Sequence, residues 1–289
     1  MIETVAGTRV ARTPAQVRAW TQVMRAAGRR VALVPTMGAL HAGHMTLVDT
    51  ARAHAEVVVV SIFVNPMQFG PKEDFSAYPR PFEDDCALCA RHGVDLIYAP
   101  TPGTMYPPGF QSHVEVEQLT QGLCGAARPT HFRGVTTVVM KLLNIAMADV
   151  AVFGEKDYQQ LQALKRMALD LDHPTQVLGA PIARELDGLA MSSRNVYLTA
   201  DERRAATVIV RSLRAAQAQV AAGERDPARI AAALRTAMTA AGGRVDYVEL
   251  VDPQTLQPLT TLDRPARAIV ATWFGRARLL DNMDLLPET

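Results

Sequence analysis

The apolar positions of this chain form two kinds of pattern. Short, nearly continuous runs occur at 31–34, 57–64, 94–98, 150–153 and 176–178. The run Val57-Val58-Val59-Val60-Ser61-Ile62-Phe63-Val64 shows almost no alternation, as expected of a strand covered on both faces. Between these runs lie stretches with helical spacing. Met45, Val48, Ala51, Arg52 and Ala55 follow one such pattern, Val135, Val138, Val139, Leu142, Leu143 and Ala146 a second, and residues 157–171 a third. Strands alternating with helices predict an α/β fold with a doubly wound, Rossmann-like parallel sheet. Such sheets bind ligands beyond the carboxyl ends of their strands. After about residue 182 the pattern changes. Residues 201–222 and 227–241 are Ala- and Arg-rich helix formers with no strand between them, and Gly242-Gly243 closes the second. Residues 245–251 and 268–274 read as strands, with 278–280 as a short third. The expected organisation is a Rossmann-like domain over 1–182 and a smaller α+β domain over 183–289, joined without a low-complexity linker.

Composition narrows the class. The chain has 289 residues, 48% of them apolar and 20% charged, the balance of an ordinary globular protein. A formal net charge of +1 provides no bulk field for nucleic acid. No apolar run approaches the ~20 residues of a transmembrane helix, and residues 1–9 hold no signal-peptide core. The expectation is a cytoplasmic protein with neither nucleic acid nor membrane as partner. Three cysteines do not make a disulfide framework. Cys86 and Cys89 form a C-x-x-C pair, but zinc needs about four ligands and no second pair exists. The pair reads as two small buried residues on one helix face.

Four polar clusters each follow a predicted strand or the domain junction. In Val34-Pro35-Thr36-Met37-Gly38-Ala39-Leu40-His41-Ala42-Gly43-His44, a strand ends in a glycine turn and a helix begins between two histidines. A helix N-terminus attracts anions, so the segment reads as a phosphate site with open backbone N–H groups and two imidazoles. A histidine metal site is the rival. The second cluster is Asn65-Pro66-Met67-Gln68-Phe69-Gly70, a turn that projects Gln68 from the sheet edge. The third, Gly154-Glu155-Lys156-Asp157, opens another helix. Lys156 could serve phosphate and Asp157 ribose, with Gln160 one turn along the same face as Lys156, or Asp157 is a helix cap and Lys156 a surface charge. The fourth, Met191-Ser192-Ser193-Arg194-Asn195, offers hydroxyl and guanidinium donors for a polyphosphate, or is a capped loop.

Their order along the chain resembles the pantoate–β-alanine ligase family. The resemblance is carried by Pro35-Thr36-Met37-Gly38, His41-Ala42-Gly43-His44, Ser61-Ile62-Phe63-Val64-Asn65-Pro66, Gln68-Phe69-Gly70, Tyr78-Pro79-Arg80, Arg128-Pro129-Thr130-His131-Phe132-Arg133-Gly134-Val135, Gly154-Glu155-Lys156-Asp157 and Met191-Ser192-Ser193-Arg194-Asn195. It runs from about residue 10 to the C-terminus, and the first and last motifs resemble the signatures of the wider class I synthetase and nucleotidyltransferase group. The resemblance implies condensation of pantoate with β-alanine, using ATP and releasing AMP and pyrophosphate through a pantoyl adenylate. It implies that ATP is held by Met37, Gly38, Ala39, Leu40, His41, Ala42, Gly43, His44, Gly154, Glu155, Lys156, Asp157, Ala183, Met191, Ser192, Ser193 and Arg194. His44, His41, Lys156, Ser192, Ser193 and Arg194 would act on the phosphates, with His44 the assigned proton donor. Gln68 and Gln160 would bind pantoate, Gln68 would also reach β-alanine, and Arg128 falls in the substrate region. Asp84 and Asp85 lie where Mg²⁺ is held, and a homodimer is implied, with the C-terminal domain closing over the nucleotide. Two positions depart from the pattern: Ala42, where an acid is expected, and Ala183, where valine is usual. The rivals are another His-x-Gly-His nucleotidyltransferase, which needs neither glutamine, a class I aminoacyl-tRNA synthetase, which needs more chain, and a non-catalytic nucleotide-binding regulator, which would lack a phosphate-contacting group.

Overall fold

A computed structural model describes residues 1–71, 73 and 75–286. The chain begins with strands β1 (Glu3–Val5) and β2 (Thr8–Ala11) and helix α1 (Pro14–Ala26). There follow β3 (Val31–Thr36), α2 (Ala42–Arg52), β4 (Val57–Ile62), α3 (Phe82–Arg91), β5 (Leu96–Tyr98), α4 (Pro102–Met105) and α5 (Leu123–Ala127). Next come α6 (His131–Ala146), β6 (Val150–Gly154), α7 (Tyr158–Asp170) and β7 (Gln176–Ala180). The last elements are α8 (Ala200–Ala206), α9 (Val208–Ala221), α10 (Pro227–Ala240), β8 (Arg244–Val251), β9 (Ala266–Phe274) and β10 (Ala277–Leu286). Two compact units result: Met1–Glu155 with Gln160–Pro181, and Lys156–Gln159 with the chain from Ile182 onward.

In the first unit, among the described residues, seven strands form one sheet in the order β1-β2-β5-β4-β3-β6-β7. All pairings are parallel except the β1–β2 hairpin. Successive residues of each central strand enter opposite cores. Val31, Leu33, Val57, Val59, Ala151 and Phe153 pack with α1, α6 and α7, while Ala32, Val34, Val58, Val60, Val150 and Val152 pack with α2 and α3. Both faces are therefore apolar, which is why the strand sequences show no alternation. The hairpin at residues 3–11 and helix α1 go unpredicted by the hydrophobic pattern. The hairpin turn places Ala6 at φ 46° and Gly7 at φ 87°; an alanine in the left-handed region gives no turn signal in sequence.

In the second unit, β10-β9-β8 form an antiparallel sheet against α9 and α10. Two predictions are corrected here. The expected single helix over 201–222 is two helices, because the Thr207 hydroxyl donates to the Arg204 carbonyl at 2.8 Å and the chain restarts at Val208. The expected short strand at 278–280 runs ten residues, from Ala277 to Leu286. Its polar residues disguise it: Asp281 and Asn282 are buried, and Asp281 takes both terminal nitrogens of Arg184 at 2.7 and 2.9 Å.

Candidate active site

Strand β3 lies between β4 and β6, and the chain leaves β3 toward β4 but leaves β6 toward β7. That reversal makes the carboxyl ends of β3 and β6 the topological switch point, the place where such sheets bind ligands. The histidine turn follows β3, and Gly154 and Glu155 stand at the end of β6.

Nearly every amide of the turn has an acceptor, within the turn or on Asp85. The Thr36 hydroxyl accepts from the Gly38 amide at 3.2 Å and donates to the Ser61 carbonyl at 2.7 Å. Gly38 (φ 83°) and Ala39 (φ 51°) both adopt the left-handed region. The Ala39 and Leu40 amides donate to Oδ2 and Oδ1 of Asp85 at 2.9 and 2.7 Å. His41 then caps α2, its Nδ1 accepting from the Gly43 amide at 3.1 Å. Nδ1 of His44 accepts from the His41 amide at 3.3 Å, and the His44 amide donates to the His41 carbonyl at 2.8 Å. This is a reciprocal capping box in which both side-chain acceptors are imidazoles. The rings lie 4.2 Å apart, tilted by 52°.

These bonds correct the expectation of open backbone N–H groups, since the amides of Gly38, Ala39, Leu40, His41, Gly43 and His44 donate within the turn or to Asp85. They also assign the ring tautomers. An amide can only donate, so each Nδ1 must offer its lone pair, and the neutral ring carries its proton on Nε2. Donation from the start of α2 thus passes from the backbone to two Nε2–H groups. Ala42, the first residue of α2, is exposed, and no acid occupies the helix's first turn.

The Gln68 loop adjoins this turn. Gln68 Nε2 lies 3.1 Å from Met37 Sδ, and its Oε1 accepts from Asn65 Nδ2 at 3.1 Å. Asn65 is 1% exposed and acts as a hub. Its Nδ2 also donates to the Gly134 carbonyl at 3.1 Å, while its Oδ1 accepts from the Tyr106 hydroxyl at 2.8 Å. Burial raises Tyr106 well above the ordinary phenol range, so the hydroxyl stays a donor. Gly134 admits the loop: a Cβ there would lie 2.3 Å from the Met67 carbonyl oxygen. Arg128, expected in the substrate region, grips Glu73 through two bonds of 2.6 Å and donates to the Gln68 carbonyl at 3.2 Å. His131 Nδ1 lies 2.8 Å from that same carbonyl. Burial alone would raise Glu73, but the Arg128 hydrogen bond and charge outweigh it and hold the carboxyl below its ordinary range. Asn65, Tyr106, Glu73 and His131 are contributors that motif reading left without roles. Only the Asn-Pro turn and the Arg128–His131 spacing hinted at them.

Asp84 is exposed and Asp85 is buried. Burial raises the Asp85 carboxyl, and the two amide bonds from Leu40 and Ala39 offset that only in part. Among the described residues no group of three or more His, Cys, Asp or Glu side chains could hold a metal. Asp85 spends one lone pair of each oxygen on the amides of Ala39 and Leu40, and those bonds compete with direct Mg²⁺ ligation. Cys86 and Cys89 are fully buried in α3, and burial pushes their thiols to about 11 and about 12, which leaves them inert.

Gln160 is half-buried in the first turn of α7. Lys156 precedes that helix in a 3-10 turn, Glu155–Asp157, so the expected common helix face with Gln160 does not exist. In the second unit, Lys156 Nζ lies 3.4 Å from the Met191 carbonyl oxygen and 3.9 Å from Asp157. The Lys156 carbonyl accepts from Asn282 Nδ2 at 3.1 Å, and the Tyr158 hydroxyl donates to the Pro253 carbonyl at 3.1 Å. Residues 183–191 form a hairpin in which the Ala183 carbonyl accepts from the Met191 amide at 2.9 Å. Ser192 Oγ accepts from the Arg194 amide at 3.3 Å and caps the 3-10 turn Ser193–Tyr197. Asn195 anchors this loop to Glu185 Oε1 at 2.8 Å and to the Ala190 carbonyl at 3.1 Å.

Comparison with known proteins matches residues 9–284 to the family model for pantoate-beta-alanine ligase. A pantothenate synthetase of Myxococcus xanthus is 53% identical over 279 residues, covering 96% of each chain. One from Caulobacter vibrioides is 51% identical over 280 residues, 95% of this chain and 97% of that one. The crystal structure of pantothenate synthetase from Thermus thermophilus superposes with a TM-score of 0.90 at 46% identity, covering 96% of this chain and 99% of that one. A Francisella tularensis pantoate-beta-alanine ligase, complexed with beta-gamma ATP and beta-alanine, gives a TM-score of 0.81 at 31% identity over 98% of both chains. The chain belongs to the pantoate-beta-alanine ligase family.

Proposed function

We propose that this chain condenses (R)-pantoate with β-alanine to pantothenate in two steps. The pantoate carboxylate attacks the α-phosphorus of ATP, the bond to the β-phosphate breaks, and pyrophosphate leaves with the electron pair. The free amine of β-alanine then attacks the acyl carbon of pantoyl adenylate, the acyl–oxygen bond breaks, AMP leaves, and the amine proton passes to solvent. Little covalent work falls to the protein, so positioning and charge stabilisation carry the rate.

The observation that supports this reading best is the contact of Met37 with Gln68, which joins the histidine turn to an oriented neutral amide. The Nε2–H groups of His41 and His44 donate to phosphate oxygens as charge grows on the leaving pyrophosphate. His44 keeps its assignment as the proton donor, acting through Nε2 because Nδ1 is held by the His41 amide. Lys156, Ser192, Ser193 and Arg194 supply further donors to the phosphates, and Gly154 and Asp157 serve the ribose. Gln68 and Gln160 orient pantoate. Neutral amides suit an attacking carboxylate, because a guanidinium would draw charge from the nucleophile. Arg128, paired with Glu73, acts through the Gln68 loop.

Mg²⁺ enters with the ATP phosphates. Asp84, exposed on the first turn of α3, keeps the assignment of meeting it, and no step is routed through the ion. Among the described residues no helix is long and apolar enough to cross a membrane. Dependence on ATP agrees with a cytoplasmic enzyme. The family resemblance assigns a homodimer, which sedimentation equilibrium tests.

A coupled assay decides the reaction. With ATP, Mg²⁺ and pantoate, one equivalent of pyrophosphate per site is expected, with continuous AMP release only after β-alanine is added. Steady AMP release without pantoate, or with an unrelated acid in its place, overturns the reading.

A further inference from the structure

Asp85 is an unusual acid for its position. Glu83 and Asp84, beside it in the first turn of α3, are exposed, as acids near a helix N-terminus usually are, but Asp85 is only 2% exposed. A carboxylate is stable at that depth only when donors meet it. Here they are the consecutive amides of Ala39 and Leu40, at 2.9 and 2.7 Å on its two oxygens. Successive amides in a left-handed stretch turn toward one side and form a concavity that attracts an anion. Gly38 and Ala39 supply that conformation, at φ 83° and 51°. The fit is close: a Cβ on residue 38 would lie 3.0 Å from Asp85 Oδ2 and 3.1 Å from Ile62 Cγ2. Ala39 carries a Cβ in a region that favours glycine, and something must hold it there. The concavity that would suit a phosphate oxygen is filled by the protein's own carboxylate.

We infer that Asp85 is the resident anion of this turn, a positioning residue that holds Gly38–Leu40 left-handed and so fixes the presentation of His41 and His44 to ATP, rather than a metal ligand. The inference rests on reading residues 37–44 as the nucleotide turn. Two consequences follow from the geometry. ATP phosphates meet the imidazole Nε2–H groups and not the Ala39 or Leu40 amides. A cation seated directly on Asp85 would share its two oxygens with the amides, draw charge from both charge-assisted bonds and loosen the turn.

Residue-resolved amide exchange on the wild-type protein without nucleotide is the first test. Slow exchange at Ala39 and Leu40, unchanged by ATP with Mg²⁺, is expected. Fast exchange that becomes slow on adding ATP would mean the amides await phosphate, and overturns the inference. The second test uses Asp85→Asn, which keeps one acceptor oxygen but sets an NH₂ against the other amide. Its KM for ATP is expected to rise about tenfold with the Mg²⁺ concentration for half-activation unchanged. Adding Ala39→Gly, which removes the Cβ that the carboxylate restrains, should recover about a third of that loss. A rise of about tenfold in the Mg²⁺ requirement with no recovery from Ala39→Gly identifies a metal ligand and overturns the inference. An unchanged KM for ATP in Asp85→Asn also overturns it. Melting curves confirm that the variants fold, and the wild-type exchange result stands whatever they show. Failure of the proposed reaction would appear separately, as absence of AMP from the wild-type assay.

Discussion

Nδ1 of His44 accepts the His41 amide, which gives that atom a structural task, while the proposed chemistry falls to Nε2. His44→Gln tests the division. Glutamine is a standard partner in a capping box, and its Oε1 can accept the same amide. The variant should melt like the parent, whereas His44→Ala should lose about 1 kcal/mol of stability with the cap. Both should lose kcat by about a hundredfold or more, because neither places an imidazole Nε2–H at the phosphates. A glutamine variant with parental kcat would show that capping was the whole role. Tyr106 offers a subtler case. Its hydroxyl decides which way the Asn65 amide faces, and Asn65 in turn orients Gln68. Tyr106→Phe removes about 1 kcal/mol of hydrogen bonding and lets the Asn65 amide flip. KM for pantoate should rise severalfold while KM for ATP holds, and equal changes in both would refute the chain from Tyr106 to Gln68. Glu73 adds a pH signature. Its carboxyl titrates below its ordinary value because Arg128 outweighs burial, so its contribution to stability is complete above the ordinary value and is lost as pH falls through the lower, folded one. Glu73→Gln should therefore be less stable than the parent at neutral pH, and the gap should close in acid. Denaturant unfolding between pH 7 and pH 3 (about the range that matters for a carboxylate) reads it directly.

Among the elements, α2 shows what sequence could and could not convey. The strand-turn-helix order around residues 31–52 is legible because Val31–Val34 and the run after His44 differ in period. The turn itself is not legible, because the Ala39 and Leu40 amides go to Asp85, which belongs to an element 46 and 45 residues later. The hydrophobic pattern also announced β3, β4 and β6, whose two buried faces make continuous apolar runs. It understated β10, whose buried Asp281 and Asn282 look like surface residues until Arg184 and Arg267 are seen beside them. It missed β1 and β2, which are short and joined by a turn with alanine at positive φ. The departure at Ala42 acquires a physical meaning at this scale. As the first residue of α2 it leaves the helix's positive end without an acid. Ala42→Asp should stabilise the helix by about 0.3–1 kcal/mol through the dipole, seen as a rise in melting temperature. A lowered melting temperature would mean that the exposed first turn is constrained by something other than the cap.

For the whole molecule, the consequential fact is that Lys156 sits in sequence between β6 and α7 but belongs to the compact unit built mainly from the chain after Ile182. Its carbonyl is held by Asn282, 126 residues further along. Tyr158, two residues on, lies under the Arg267 guanidinium at 3.8 Å, and Arg267 in turn takes Asp284 through two bonds of 2.7 Å and Asn282 at 2.9 Å. The lysine proposed to serve the phosphates is thus positioned by the antiparallel sheet. Asn282→Ala isolates that dependence. It leaves the Lys156 carbonyl and one Arg267 N–H without their partner, at a cost of about 1–3 kcal/mol for buried groups. If Lys156 serves the phosphates, kcat should fall at least tenfold although the substitution lies far along the chain from every motif. Amide exchange in β3 and β4 should be unaltered, since their packing lies in the other unit. Loss of protection in β3 and β4 would mean that the substitution acts by general destabilisation. Parental kcat with a lowered melting temperature would mean that Lys156 needs no such support, and would separate the antiparallel sheet from the chemistry.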